Sequence, residues 1–277
     1  MTLSNGVPND PLTDRRVVLV GASAGIGRAL AVRLLGAGCQ VVMAARRKDE
    51  LARIVTETGG GHPVHLDIRD PASCERLAGE AADRLGRIDF LISCVGAARL
   101  RPIEETGLED WRWAVETNTI GFHQVLRACL PFLAPHAMAA ALSSESVTRH
   151  RAALGAYTTS KVALEQLLRA WRAEHPELRI GCIRIGQTAP TDFGRGFGDE
   201  ELGRAFGRWA AQGLLVERYM SPDEVAGALV GLLSIAAAYP SVTVEELTVV
   251  PSAAAASFFP ETFPDTSDAA AAGPGGV

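Results

Sequence analysis

Short apolar runs alternate along the chain with longer stretches in which apolar positions recur every three or four residues. Short runs are typical of buried strands, and the longer spacing is typical of helices with one face toward a core. The pattern predicts strands at 17–20, 40–44, 63–66, 88–93, 138–143, 179–185 and 245–249, and helices at 26–36, 48–57, 72–85, 108–134, 154–174 and 222–236. This alternation predicts an α/β fold, a doubly wound parallel sheet of about seven strands with helices on both faces.

The alternation is interrupted between residues 188 and 218, where glycines and aromatic residues intermingle. Glycines permit movement and aromatic side chains can form an apolar wall, so this stretch is predicted to be a substrate lid. A helical pair packing at a subunit boundary is the alternative. The remaining boundaries predict a flexible segment at 1–13, one catalytic domain at 14–251 and an Ala/Gly/Pro-rich tail at 252–277.

A glycine-rich turn joins the first predicted strand to the first predicted helix. Gly21 allows a sharp turn, Gly25 leaves room for a pyrophosphate near the backbone, and Gly27 allows close helix–strand packing. The helix N-terminus offers free N–H groups and a positive dipole end to phosphate. The turn therefore predicts a dinucleotide site, which includes Gly21, Ser23, Ala24, Gly25, Ile26 and Gly27.

Tyr157 and Lys161 lie four residues apart in a predicted helix and therefore share one face. An adjacent ammonium group favours the phenolate and is expected to lower the tyrosine pKa from its ordinary value of about 10. Ser144, at the end of a predicted strand, could bond the same substrate oxygen. These residues predict an acid/base centre that exchanges a proton with a carbonyl. In most proteins a tyrosine and a lysine at this spacing are only a half-buried ring beside a solvated charge. The glycine turn favours the catalytic interpretation here.

Taken together, these motifs resemble those of the short-chain dehydrogenase/reductase family over roughly residues 14 to 250. The resemblance implies a Rossmann-like fold with Ser144, Tyr157, Lys161 and Asn118 as catalytic residues. It gives Asn118 a place beside a helix irregularity, where it helps to hold a water that links the lysine to solvent. It also implies that Tyr157 and Lys161 contact the cofactor, that Lys161 binds its ribose, and that Asp67 and neighbouring Ile68 lie at the adenine.

The chain departs from the family pattern at several positions. Ser93-Cys94-Val95-Gly96 stands where the family usually has Asn-Asn-Ala-Gly, and Ile185-Gly186 stands where it has Pro-Gly. Val20 replaces a usual threonine. The resemblance places Ser93, Val95, Gly96 and Gly186 at the cofactor, and the threonine at the nicotinamide is Thr188 or Thr191.

Charge at the end of the second predicted strand bears on the choice of cofactor. NAD-binding folds usually place a carboxylate there to bond the ribose hydroxyls. This chain has Arg46, Arg47 and Lys48 instead. A guanidinium group suits a phosphate, so Arg46, helped by Arg47, is expected to bind the 2′-phosphate of NADP, and NAD is the less favoured cofactor. The alternative is that these cations simply begin a solvated helix.

Composition excludes several other classes of function. The net charge is −5 and the basic residues are scattered, which argues against nucleic-acid and membrane partners. Five cysteines without paired spacing favour free thiols and a cytoplasmic location. His62 and His65 have no third ligand nearby, so no metal is predicted.

These observations predict an NADPH-dependent oxidoreductase that interconverts a ketone and a secondary alcohol on a fairly apolar small molecule. A non-redox isomerase, dehydratase or cyclase on the same fold is one alternative, and a catalytically silent dinucleotide-binding regulator is another. The family resemblance also suggests a homodimer or homotetramer.

Overall fold

The computed structural model describes residues 10–216 and 218–252, and these form a seven-stranded, wholly parallel sheet. The strands are β1 Arg16–Val20, β2 Gln40–Ala45, β3 His62–His65, β4 Ile88–Ser93, β5 Leu133–Ser144, β6 Arg179–Ile185 and β7 Glu246–Val249. Their order in the sheet is β3-β2-β1-β4-β5-β6-β7. The predicted α/β doubly wound fold is therefore confirmed.

The strands are buried on both faces, which explains why they read as continuous apolar runs. Along β1, Val17 and Leu19 face one core while Val18 and Val20 face the other. The first core packs against α1 Gly25–Gly36, α2 Lys48–Thr58 and α8 Pro222–Ala238. The second packs against α3 Pro71–Leu85, α5 Gly121–Cys129 and α6 Gly155–Glu174.

The helix predicted over 108–134 is broken, which corrects the prediction. α4 Leu108–Val115 passes into a π-helical turn at Glu116–Ile120 before α5 begins, and a 3₁₀ turn follows at Leu130–Phe132. Two buried side chains of the π-helical turn bind α6: Asn118 donates to Ser160 Oγ at 2.9 Å and Thr119 donates to the Ser160 carbonyl at 2.7 Å. These hydrogen bonds hold the wider turn in place.

The stretch 188–218 is more regular than expected. It contains a 3₁₀ turn at Asp192–Gly194 and a helix, α7, at Asp199–Ala211. Leu202, Ala205 and Trp209 lie on one face of α7 and pack on the segment after β5. Glycines at 203 and 207 conceal this helical spacing in the sequence.

The N-terminal boundary also differs from the expected flexible segment at 1–13. Leu12 is fully buried in the first core, and its carbonyl accepts a hydrogen bond from Cys39 Sγ at 3.2 Å. The rest of that segment, residues 1–9, and the predicted tail from 253 onward lie outside the described residues. Within 10–216 and 218–252, no helix is long and apolar enough to cross a membrane.

The order of strands reverses direction between β1 and β4, which are neighbours in the sheet. Ligands of such sheets bind beyond the carboxyl ends of the strands at this reversal. Gly21 follows β1 and Cys94 follows β4 at that position. The fold therefore brings the glycine turn and the turn after β4 to one edge.

We expect Gly27→Ala to destabilise the fold, because the added Cβ would lie 2.2 Å from the Gly21 carbonyl oxygen. Overpacking against rigid backbone should lower the free energy of unfolding by about 3 kcal/mol. Gly36→Ala at the other end of α1 is the matched control, because its Cβ would meet nothing within 4 Å. Thermal unfolding of both variants tests the prediction, and an equal effect in the two would contradict it.

Candidate active site

Three of the four predicted catalytic side chains converge at the carboxyl edge of the sheet. Ser144 is the last residue of β5, and Tyr157 and Lys161 lie one turn apart on the buried face of α6. A Cβ built on Gly96 would lie 3.6 Å from Lys161 Nζ and 3.9 Å from the Tyr157 hydroxyl. The tyrosine and lysine therefore both point to the turn that follows β4.

Lys161 is 1% exposed and is held by the main chain. Its Nζ donates to the carbonyl oxygen of Val95 at 2.9 Å and to that of Leu142 at 2.7 Å. Burial lowers the pKa of Lys161 to about 8, and the nearby Cys182, Cys94 and Glu165 oppose this shift. The amine therefore titrates much nearer to neutral pH than an ordinary lysine.

The pKa of Tyr157 differs from the value expected from its helical spacing to Lys161. Burial raises the pKa of Tyr157 to about 12, although a hydrogen bond with Ser144 and the charge of Arg151 act in the opposite direction. Lys161 is not among the groups that lower it, which corrects the expectation that the lysine sharpens its acidity. In this arrangement Tyr157 is a protonated phenol at neutral pH, able to donate a proton.

Arg151 is a cation near Tyr157 that no sequence motif indicates. Its side chain is 9% exposed, and it donates to the buried carboxylate of Glu145 at 3.4 Å. Arg149 approaches the other oxygen of the same carboxylate at 3.2 Å. The Glu145 carboxylate thus holds Arg151 on the segment between β5 and α6.

Asn118 lies in the π-helical turn, as the resemblance required, and its side chain is fully engaged. Its Oδ1 accepts from the Ala97 N–H, and its Nδ2 donates to the Ala97 carbonyl and to Ser160 Oγ, each at 2.9 Å. These bonds fix the turn after β4 against α6. The Asn118 side chain therefore positions the turn that carries Gly96.

The glycine turn has the shape that a dinucleotide needs. Gly21 has φ +84°, and a Cβ on it would lie 3.1 Å from the main chain of Cys94. α1 begins at Gly25 behind Ala24, and no side chain caps its first turn. Because the free N–H groups at this helix start suit a pyrophosphate, the residues present fit the expected cofactor.

The turn after β4 keeps its contacts with the glycine turn despite its unusual sequence. Ser93 is buried at the end of β4, and its Oγ accepts weakly from the Val95 N–H at 3.5 Å. A Cβ on Gly21 would lie 3.3 Å from the Val95 side chain. Burial raises the pKa of the Cys94 thiol to about 12, so that thiol stays protonated at neutral pH.

Arg47, rather than Arg46, faces the glycine turn. Arg47 donates to Ser23 Oγ at 3.1 Å and to Asp192 Oδ2 at 2.7 Å. Arg46 is exposed and makes no hydrogen bond or ion pair within residues 10–216 and 218–252. The structure therefore places Arg47 in contact with the glycine turn and leaves the Arg46 side chain exposed beside it.

The other predicted cofactor residues lie at the same edge of the sheet. Asp67 and Ile68 follow β3, and Ile68 packs against the start of α5 at Gly121. A Cβ on Gly186, just after β6, would lie 3.1 Å from Pro251 and Val250, so this glycine serves packing against the chain after β7.

Thr188 and Thr191 occupy different places in the segment after β6. Thr188 Oγ1 donates to the Gly186 carbonyl at 3.1 Å. Thr191 lies against the glycine turn, where a Cβ on Gly25 would be 3.5 Å from the Thr191 Cβ. Of the two threonines that the sequence left open, Thr191 is therefore the one beside the glycine turn.

The segment after Thr191 covers Tyr157, the predicted catalytic tyrosine. The Phe193 ring meets the Tyr157 ring edge to face, with centroids 5.0 Å apart. Trp209 Nε1 on α7 donates to the Ala152 carbonyl at 2.8 Å and joins the helix to the segment before α6. Phe193 thus lies directly against Tyr157, and Trp209 attaches α7 to the segment that leads into the tyrosine's helix.

Comparison with known proteins agrees with this arrangement. A family model described as Enoyl-(Acyl carrier protein) reductase matches residues 21–249, a range that includes the glycine turn and the predicted catalytic residues. The chain belongs to the short-chain dehydrogenase/reductase family. Members of this family are oxidoreductases that bind a nicotinamide dinucleotide.

Individual short-chain dehydrogenases/reductases align over most of the chain. The 1-deoxy-11-beta-hydroxypentalenate dehydrogenase of Streptomyces arenae is 33% identical over 223 residues, 77% of each protein. The glycine betaine reductase ATRR of Emericella nidulans is 29% identical over 232 residues, which are 81% of this chain and only 18% of that protein.

A solved structure with the same fold is an alcohol dehydrogenase from the archaeon Thermococcus sibiricus, complexed with 5-hydroxy-NADP. It is 28% identical, has a TM-score of 0.73, and the alignment covers 85% of this chain and 95% of that one.

The buried amine predicts how stability changes with pH. Between about pH 8, the folded pKa of Lys161, and the ordinary lysine pKa of 10.5, the unfolded chain binds a proton at this position that the folded chain does not. The free energy of unfolding therefore rises with pH in that interval, by at most about 1.4 kcal/mol per pH unit. We expect the Tm of wild type to rise relative to that of Lys161→Met between pH 8 and about pH 10.

The matched control is Lys48→Met, which removes the only other lysine, an exposed one at the start of α2. Its Tm difference from wild type should stay constant over the same range. A constant difference for Lys161→Met as well would show that Lys161 is not desolvated.

Proposed function

We propose that this chain is an NADPH-dependent oxidoreductase that interconverts a ketone and a secondary alcohol on a fairly apolar small molecule. One observation carries the proposal. The Tyr157 hydroxyl and Lys161 Nζ approach the same glycine, Gly96, at the edge where β1 and β4 end. A proton donor and a buried amine thus stand beside the cleft formed by the glycine turn.

Each catalytic residue has a distinct role in this proposal. When bound, the cofactor supplies or accepts the hydride. Tyr157 exchanges the proton on the substrate oxygen, and Ser144, which is hydrogen-bonded to Tyr157, polarises the carbonyl. Lys161 is held near the ribose position by Val95 and Leu142, and Asn118 helps to connect the lysine to solvent through the π-helical turn.

The expected preference for NADPH over NADH is supported by the charge beside the glycine turn. β2 ends at Ala45 and no carboxylate follows before α2, whereas Arg47 reaches Ser23 of the turn. The related alcohol dehydrogenase structure with 5-hydroxy-NADP agrees with this preference. Arg47 would bind the 2′-phosphate through charge-assisted hydrogen bonds.

An apolar substrate is supported by the surroundings of Tyr157. Phe193, Ala98, Leu100, Leu154 and Trp209 pack with the tyrosine in one cluster. Arg99 in the adjoining cavity already donates to Asp110 at 2.7 Å and stacks 4.6 Å from the Trp113 ring centroid. Residues 188–218 thus act as a lid with a largely hydrocarbon inner surface.

A cytoplasmic location and assembly into a homodimer or homotetramer remain parts of this proposal. All five cysteines are free thiols, which is consistent with a reducing compartment.

We expect Tyr157→Phe to lower kcat by about 10²- to 10⁴-fold because the proton donor is lost. NADPH affinity should change little, since the cofactor contacts proposed above come mainly from other residues. Ketone reduction assays and fluorescence titration of NADPH measure the two effects. Tyr219→Phe, which alters an exposed tyrosine, is the control and should keep full activity. Full turnover in Tyr157→Phe would refute the assignment, and product formed without consumption of cofactor would favour a non-redox reaction.

We expect Arg47→Gln to weaken NADPH binding roughly 10- to 100-fold, because a hydrogen bond between charged groups is lost. NADH binding should change little. Arg46→Gln provides a matched loss of charge at the neighbouring exposed position and should have a smaller effect. Calorimetric titration of both cofactors measures the difference. The reverse ranking of the two variants would restore Arg46 as the main phosphate ligand.

A further inference from the structure

The segment after β6 places a carboxylate on the arginine proposed to bind the cofactor. Asp192 Oδ2 accepts from Arg47 Nη2 at 2.7 Å and from Arg195 Nη2 at 2.6 Å. A single carboxylate oxygen thus lies between two guanidinium groups. Arg47 simultaneously donates to Ser23 of the glycine turn, so Asp192 lies beside the surface that the 2′-phosphate would approach.

Three consecutive lid residues each contact a different part of the active site. Thr191 lies against Gly25 of the glycine turn, Asp192 binds Arg47, and Phe193 meets the Tyr157 ring. The 3₁₀ turn makes this arrangement compact, because Thr191 Oγ1 accepts from the Phe193 N–H at 3.4 Å and the Asp192 carbonyl accepts from the Arg195 N–H at 3.0 Å. Moving Asp192 therefore moves its two neighbours.

We propose that Asp192 is an internal competitor for the 2′-phosphate of the cofactor and thereby sets how strongly the chain favours NADPH over NADH. The inference rests on the proposed use of NADPH. A phosphate carries more negative charge than a carboxylate and three acceptor oxygens, so it displaces Asp192 from Arg47. NADH brings no group that can do so.

Displacement of Asp192 has a second consequence. Once the carboxylate leaves Arg47, the turn Asp192–Gly194 loses its ionic contact with the glycine turn. Thr191 and Phe193 then become free to withdraw from Gly25 and Tyr157. Arrival of the 2′-phosphate therefore opens the lid over the tyrosine.

The test compares wild type with Asp192→Asn, which removes the charge and keeps the size of the side chain. The probes are 2′,5′-ADP, which carries the phosphate without nicotinamide, and 5′-AMP, which lacks it. The Asp192 side chain is 40% exposed, so the ion pair is a screened one. We expect Asp192→Asn to bind 2′,5′-ADP about two- to fivefold more tightly in calorimetric titrations, with unchanged affinity for 5′-AMP.

Two variants sharpen the comparison. Asp199→Asn removes the same charge from the exposed start of α7 and should leave both affinities unchanged. In an Arg47→Gln background, Asp192→Asn should not change the affinity for 2′,5′-ADP, because the guanidinium group for which the carboxylate and the phosphate compete is already absent. A gain of equal size in that background would overturn the proposal.

Hydrogen exchange gives a readout that does not depend on turnover. In wild type, 2′,5′-ADP should accelerate exchange of the amides of residues 193–197, and 5′-AMP should not. In Asp192→Asn these amides should exchange rapidly without any nucleotide. Slower exchange with 2′,5′-ADP would show that the phosphate closes the segment instead, which contradicts the proposal.

The outcomes separate this inference from the proposed function. If wild type binds 5′-AMP and 2′,5′-ADP equally, the preference for NADPH is refuted and the role of Asp192 falls with it. If wild type prefers 2′,5′-ADP and Asp192→Asn leaves that preference unchanged, only the role of Asp192 is refuted. Weaker binding of 5′-AMP by Asp192→Asn would identify Asp192 as a ribose ligand and would likewise overturn the competition.

Discussion

The burial of one amine organises this active site. Lys161 is only 1% exposed, and its Nζ joins the turn after β4 to β5 through the carbonyl oxygens of Val95 and Leu142. A buried amine without hydrogen-bond acceptors would strongly destabilise the fold. Burial of Lys161 therefore requires these two carbonyl oxygens within hydrogen-bond distance of its Nζ. Their positions in turn determine where Gly96 lies and therefore which space opens above Tyr157. The sheet, the turn after β4 and α6 are held together at this point.

A second constraint is the close approach of main chain to main chain at the strand-order reversal. Gly21 lies against Cys94 and Val95, and Gly27 lies against the Gly21 carbonyl. Side chains would separate these segments, and the α1 N-terminus would then lie farther from the turn after β4. The unusual Ser93-Cys94-Val95-Gly96 sequence preserves this contact because the Asn118 amide holds the following residue, Ala97, from the other side.

Most of the fold could be predicted from the sequence because strands buried on both faces read as apolar runs, as β1 does. The break in the helix predicted at 108–134 could not be predicted, because a π-helical turn leaves the spacing of apolar residues in the sequence almost unchanged. α7 entered only through the alternative of a helical pair, because its glycines hide the repeat of Leu202, Ala205 and Trp209. In the site, residue types and spacing were enough to predict that Ser144, Tyr157 and Lys161 lie together. The pKa of Tyr157 depends on how completely the fold buries the ring, and spacing along a helix carries no information about that.

The hydrogen bond from the Trp209 indole to the Ala152 carbonyl makes the cover over Tyr157 asymmetric. One end of α7 is attached to the segment that leads into α6, whereas the opposite end is reached through the glycines at 194, 196 and 198. Any opening of this cover is therefore expected to pivot at the Trp209 end, with the largest displacement near Phe193.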